Sequence, residues 1–189
     1  MSFDERLAFV TRALAAAGRE AAAFEARQLV ESFNSDERLN AAVRRLLSGE
    51  PLQYILGEWE FWGLPFKVGE GVLIPQPDTE ILVERSLELI GSLASPRVLD
   101  LCSGSGCVAV SIAKERPDAS VTAVELYDRA FGFLEENIAL NGVKVSARRA
   151  DVLQKPDGFG EFDLIVSNPP YITADEMKTL PAEVLREPH

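Results

Sequence analysis

The sequence predicts an α/β fold, a doubly wound parallel sheet behind a small helical bundle, and three observations carry that prediction. Val98, Leu99 and Leu101 form a short apolar run that leads into Ser103-Gly104-Ser105-Gly106 and then into residues 108–114 with helical spacing. That is a buried strand, a glycine loop and a helix in succession. Downstream, strand-like segments at 121–125, 145–151 and 162–166 alternate with a helical stretch at 128–140, as a doubly wound sheet requires. Upstream, residues 1–50 carry helical periodicity throughout.

A chain of 189 residues suits one domain with a small addition, and a 47% hydrophobic content is ample for a core. No segment is long and apolar enough to span a membrane, and no basic region followed by an apolar run marks a secretory leader. A cytoplasmic protein is expected. The net charge of −11 argues against a nucleic-acid backbone as the main partner, since phosphate binding needs Lys/Arg clusters. Cys102 and Cys107 flank the glycine loop at a spacing that matches neither a zinc knuckle nor a redox pair. They read as small buried hydrophobes, and no metal site is expected.

In the N-terminal segment, 1–50, Ser2 and Glu5 form a capping box, Leu7, Val10 and Leu14 share one face, and Gly18 ends the first helix. A second helix is expected over 19–33 with Phe24, Leu29, Val30 and Phe33 as its apolar residues. Asn34 and Ser35 can cap a third, striped by Leu39, Val43, Leu46 and Leu47 and stopped by Gly49 and Pro51. The bundle shows no titratable cluster, which suits docking or stabilisation. Residues 51–77 look like a connector, with two short strands around a turn at Gly63 and Pro65. Pro75 and Pro77 then fix an extended path, a stiff wall for a ligand pocket, and Asp78 or Thr79 can cap a helix over 79–91. The main domain occupies 78–189.

Gly104, Gly106 and Ala109 fit the G-x-G-x-x-A spacing of a dinucleotide site. Asp100, at the strand's carboxyl end, points elsewhere: it would repel a pyrophosphate such as that of NAD and attract a ligand with an ammonium and a sulfonium. S-adenosylmethionine (SAM) carries both. Glu125 ends the second strand about twenty residues after the loop, where its carboxylate can accept from both hydroxyls of a ribose. Asp151, after the third strand, is placed for the exocyclic amine of an adenine, although an Asp there is also an ordinary turn residue.

The fourth strand runs into Ser167-Asn168-Pro169-Pro170-Tyr171. The prolines lock the backbone beyond the strand end and bring no N–H, so carbonyl acceptors stand there without competing donors. With the Asn168 side-chain carbonyl they suit a planar NH₂ group, against which Tyr171 can pack.

Asn-Pro-Pro-Tyr resembles the motif of methyltransferases acting on planar NH₂ nitrogens, both DNA amino-methyltransferases and protein glutamine methyltransferases. Pro51-Leu52-Gln53-Tyr54-Ile55-Leu56-Gly57, Glu60-Phe61 with Gly63, Val72-Leu73-Ile74-Pro75 with Pro77-Asp78-Thr79-Glu80, Leu99-Asp100-Leu101-Cys102 with Gly104-Ser105-Gly106, and Ser167 through Ile172 together resemble the HemK/PrmC family. Those enzymes methylate the glutamine side-chain nitrogen in the Gly-Gly-Gln motif of peptide-chain release factors. The resemblance implies a Rossmann-like class I SAM-dependent methyltransferase domain behind an N-terminal helical bundle. Asp100, Cys102, Gly104 and Gly106 would lie at the methionine end of SAM, Glu125 at its ribose and Asp151 at its adenine. Asn168, Pro169, Pro170 and Tyr171 would form the catalytic segment, with Asn168 and the Pro169 carbonyl holding the glutamine amide.

Three departures stand out. Gln76 occupies a position that is usually Arg in the family, and Glu125 with Tyr127 stand where Asp, often followed by Ser, is usual. Family members also continue past residues 183–189 with strands and helices that complete the sheet. An incomplete sheet would leave Phe162, Leu164, Ile165 and Val166 on an apolar edge, so self-association or marginal stability is expected. Two alternatives stay open: a DNA adenine-N6 methyltransferase, disfavoured by the acidic charge, and a non-catalytic SAM-binding fragment.

Overall fold

The structure, a computed structural model, describes residues 1–154 and 158–170. They divide into two compact units, Met1–Gly57 and the residues from Glu58 onward. No helix among the described residues is long and apolar enough to cross a membrane.

The first unit is helical: α1 (Phe3–Ala16), α2 (Ala22–Ser32), α3 (Asp36–Leu47) and α4 (Leu52–Leu56). The expected capping box is present, with the Glu5 amide donating to Ser2 Oγ at 3.3 Å and the Ser2 amide to Glu5 Oε2 at 2.7 Å. α2 begins three residues later than the periodicity suggests, because Arg19 belongs to the terminator of α1. Gly18, at φ 81°, lets the Arg19 amide reach back to the Leu14 carbonyl at 3.2 Å. Residues 51–57, expected as a connector, hold α4, whose Leu52 and Ile55 join Val10, Leu14, Leu29, Leu39 and Leu46 in one core. Phe24 and Leu47, assigned to apolar stripes, are half exposed, because each sits on the outer edge of its helix face.

The second unit opens with an antiparallel hairpin, β1 (Glu58–Phe61) and β2 (Leu64–Lys67). Its turn is Trp62-Gly63, both at positive φ, the geometry that matches strand twist. Pro65, expected in the turn, lies in β2 opposite Glu60. Next come α5 (Glu80–Ile90), β3 (Arg97–Leu101), α6 (Cys107–Glu115), β4 (Ser120–Glu125), α7 (Asp128–Asn141), β5 (Val145–Arg149) and β6 (Leu164–Ser167). The four later strands are parallel in the order β5-β4-β3-β6, so the first of them, β3, lies between the second, β4, and the fourth, β6. α5 starts after a 3₁₀ turn at Pro77–Thr79, and neither Asp78 nor Thr79 caps it with a side chain.

Two strands are less buried than the sequence suggests. β5 ends at Arg149 and alternates between half-buried and exposed residues. In β6, Val166 is buried, but Ile165 is 59% exposed because β6 is the outermost strand of the described sheet.

Candidate functional site

A cleft of about 480 Å³ opens at the carboxyl ends of β3, β4 and β6 and beside the residues that follow β5. Asp100, Cys102, Gly104, Glu125, Asp151, Asn168, Pro169 and Pro170 all line it, as do Leu73–Gln76 and Thr79 from the extended segment before α5. Eight of the ten residues singled out from the sequence therefore share one cavity. Gly106 does not line it, and Tyr171 lies outside the described residues.

The parallel register explains the convergence. Asp100 stands one residue from the end of β3, flanked by Ala123 of β4 and Val166 of β6. Beyond the strand end, the Ser103 amide donates to the Val124 carbonyl at 3.0 Å, Ser103 Oγ donates to the Asp100 carbonyl at 2.9 Å, and the same oxygen accepts from the Val124 amide at 3.0 Å. Ser103 thus extends the ladder past the strand and fixes where the glycine loop begins. Gly106 holds the loop's far end. At φ 79° it precedes α6, and a Cβ there would stand 2.4 Å from Leu134 Cδ1. Its glycine is demanded by packing and backbone conformation, not by ligand approach.

Asp100 is 2% exposed, and its Oδ2 has no hydrogen-bond partner among the described residues. Burial pushes its carboxyl up to about 7; the Glu125 charge adds to the rise, while hydrogen bonds from Ser103 and the Ala109 amide oppose it. A buried acceptor left open on a cleft wall calls for a donor from a ligand. Cys102, between Asp100 and the loop, holds φ 57° and is half-buried, less than the buried role expected of it. Cys107 is buried, which raises its thiol to about 12, so neither position offers a ready thiolate.

Glu125 is also buried, but satisfied. Oε1 accepts from the amides of Leu126 at 2.8 Å and Tyr127 at 2.9 Å, and Oε2 accepts from the Gly104 amide at 2.9 Å. A carboxylate offers about four acceptor positions, so roughly one remains. Accepting from both hydroxyls of a ribose, as expected, would need more open acceptor positions than this conformation leaves. Asp151 accepts from the Leu153 amide at 2.9 Å and from Gln154 Nε2 at 2.8 Å, the bonding of a turn residue that also borders the cleft. Asn168 donates from Nδ2 to Thr79 Oγ1 at 3.3 Å.

Three supporting residues were missed in the sequence. Ser103 carries no signal beyond its place in the glycine loop, and Thr79 signals only a helix cap. Asn137 does carry one, as an Asn inside the apolar stripe of a helix. It is fully buried, pairs with both the amide and the carbonyl of Lys67, and donates to the Ser105 carbonyl at 2.9 Å. It ties the hairpin to the glycine loop.

Residues 77–187 match the methyltransferase small domain family. The chain belongs to that family. Within it, the protein is 48% identical over 143 residues to a release factor glutamine methyltransferase of Fusobacterium nucleatum, covering 75% of this chain and 40% of that one. It is 46% identical over 149 residues to the same-named protein of Flavobacterium psychrophilum, covering 77% and 52%. The HemK/PrmC resemblance read from the motifs is thereby borne out, and the chain spans about half the length of the curated relatives it matches. Among solved structures, a Thermus thermophilus 16S rRNA N2 G1207 methyltransferase in complex with AdoMet and guanosine has a TM-score of 0.51 at 24% identity, covering 69% of this chain and 38% of its own. A Pyrococcus abyssi tRNA (uracil-54, C5)-methyltransferase has a TM-score of 0.50 at 18% identity, covering 67% and 31%. Both bear out the methyltransferase fold.

Proposed function

We propose that this methyltransferase small domain protein transfers a methyl group from SAM to the side-chain amide nitrogen of the glutamine in the Gly-Gly-Gln motif of a release factor. The observation that carries the reading is the buried, unpartnered Asp100 Oδ2 on the wall of the same cleft that Asn168 borders. That oxygen fits the ammonium of SAM. Gly104 in the loop would lie along the methionine end, with Cys102 and Gly106 holding the loop's course. Glu125 would take one ribose hydroxyl, and Asp151 the adenine amine. When bound, SAM supplies a methyl carbon on a cationic sulfur; its transfer leaves a neutral thioether, and the amide nitrogen gives up one proton to solvent.

The chain's own contribution is positioning. An amide nitrogen is a weak nucleophile because its lone pair is delocalised. Two acceptors, Asn168 Oδ1 and the Pro169 carbonyl, would hold its two hydrogens, aim the nitrogen and keep water away. Pro170 stiffens that turn, and Tyr171 would cover the planar group. The residues from Glu58 onward would serve as the transfer domain and Met1–Gly57 as a docking bundle, both in the cytoplasm, with no direct nucleic-acid contact. The exposed β6 edge at Ile165 also suits pairing with a second copy.

The test incubates the protein and its Asn168→Ala variant with SAM and a release factor, reads methylation by mass, and titrates SAM calorimetrically. Removing one of two acceptors should lower turnover at least about a hundredfold, since misalignment adds to the lost bond, while SAM affinity stays within about twofold. Turnover that survives the change overturns the amide role. SAM binding without transfer favours the non-catalytic reading, and methylation of adenine in DNA the other.

A further inference from the structure

We infer that Thr79 is a positioning residue that anchors the donor end of the Asn168 side-chain amide, so that its carbonyl end faces the cleft. This rests on the reading of Asn168 as an acceptor for a substrate NH₂ group. An asparagine amide is nearly symmetric in shape but opposite in polarity at its two ends, so a half-turn costs little in packing and inverts its chemistry. With the NH₂ end toward the substrate, donor would meet donor and the clamp would fail. Something must hold the NH₂ end away.

Thr79 is placed to do this. Its hydroxyl oxygen accepts from Asn168 Nδ2 at 3.3 Å, across 89 residues of sequence. The residue is only 8% exposed, so water competes poorly for that bond. Its backbone is fixed too: the Thr79 amide donates to the Gln76 carbonyl at 3.0 Å, at the end of the 3₁₀ turn opened by Pro77. Two other polar side chains that line the cleft are largely engaged elsewhere. Gln76 Nε2 donates to the Ile74 carbonyl at 3.0 Å, and Glu125 holds three amides. Thr79 therefore holds the donor end of Asn168, and the carbonyl end is left to the substrate.

Two variants test this. Thr79→Val keeps the shape and removes the hydroxyl, whereas Thr79→Ser keeps the hydroxyl and removes a methyl. The first readout is hydrogen exchange of the Asn168 side-chain NH₂ by nitrogen-edited NMR, assigned by its loss in Asn168→Ala. Exchange should accelerate about tenfold or more in Thr79→Val and stay within about threefold of the parent in Thr79→Ser. The second readout is methyl transfer to a Gly-Gly-Gln release factor. There, kcat should fall about tenfold or more in the Val variant and recover in the Ser variant, with SAM affinity unchanged in both. Unchanged exchange in Thr79→Val overturns the inference. So does a Ser variant as poor as the Val variant, or a loss of SAM affinity in step with turnover, since each marks a packing role. If the parent protein transfers no methyl, the functional reading falls while the exchange measurement still decides Thr79.

Discussion

Replacing Asp100 with Asn should make the ligand-free protein more stable at alkaline pH and far poorer at binding SAM. The carboxyl titrates near 7 in the folded chain against an ordinary value of 3.8, chiefly because it is buried. The folded state therefore holds a proton that the unfolded state has released across that window. Stability contributed by the neutral carboxyl is present at low pH and is lost as pH rises through the folded value. Between pH 5 and pH 8 the loss amounts to roughly 2–3 kcal/mol, because about two further units of displacement are expressed at 1.36 kcal/mol each. Asn has nearly the same shape and no such transition. Urea unfolding of both proteins at pH 5 and pH 8 should show the parent losing stability relative to Asp100→Asn by about that amount. Cation binding needs the ionised form, so SAM affinity in the parent should be about tenfold weaker at pH 6 than at pH 8, a dependence the variant lacks along with most of the affinity. Parallel stability profiles would refute the buried titration, and full SAM affinity in Asp100→Asn, or tight binding of NAD, would refute the cation site.

Gly106→Ala should cost about 2–4 kcal/mol in urea unfolding, from left-handed backbone strain plus the displacement of Leu134; a change within about 0.5 kcal/mol would show that the loop readily yields. The 189-residue chain should self-associate with rising concentration in sedimentation velocity, and Ile165→Lys should suppress it, since a charge on an outer strand opposes pairing. A monodisperse parent that unfolds cooperatively at high temperature would dismiss the edge as an association site.

Much of the fold could be read from local pattern, because the decisive features are local. Apolar runs, a glycine loop and alternation point to a parallel sheet without any knowledge of tertiary contacts. Where the reading slipped, a competing contact explains it. α4 is one turn and too short to show a period, and the start of α2 moved because Arg19 closes α1. The turn at Trp62-Gly63 placed a non-glycine residue at positive φ, which composition does not advertise. In the site, the acidic residues at the strand ends could be located because strand ends can be located. Their bonding could not. That Glu125 is filled by three backbone amides while Asp100 has an open oxygen depends on how the loops after β3 and β4 fold against one another. The contact between Thr79 and Asn168 spans most of the second unit and leaves no trace in spacing.

The uneven satisfaction of those groups bears on how the cleft divides its labour. Glu125 and Asp151 are largely served by their own chain, and their neighbours in the cleft include Leu126, Val152 and Leu153, of which Leu153 is 89% exposed. A nucleoside lying there would gain mostly by covering apolar surface and would add few hydrogen bonds that the protein lacks. Asp100 differs, because its buried Oδ2 has no hydrogen-bond partner among the described residues. Asn168 differs in a second way, since its donor end is occupied by Thr79 and its acceptor end is the one left for a substrate. The strong polar demands of the cleft thus sit at β3 and β6, neighbouring strands whose ends lie side by side. On the proposed reading, charge recognition and amide recognition would stand next to each other, and the apolar end would serve chiefly to anchor. A ligand that satisfies Asp100 would bring its cationic end beside the strand that carries Asn168, which is the juxtaposition methyl transfer to an amide requires.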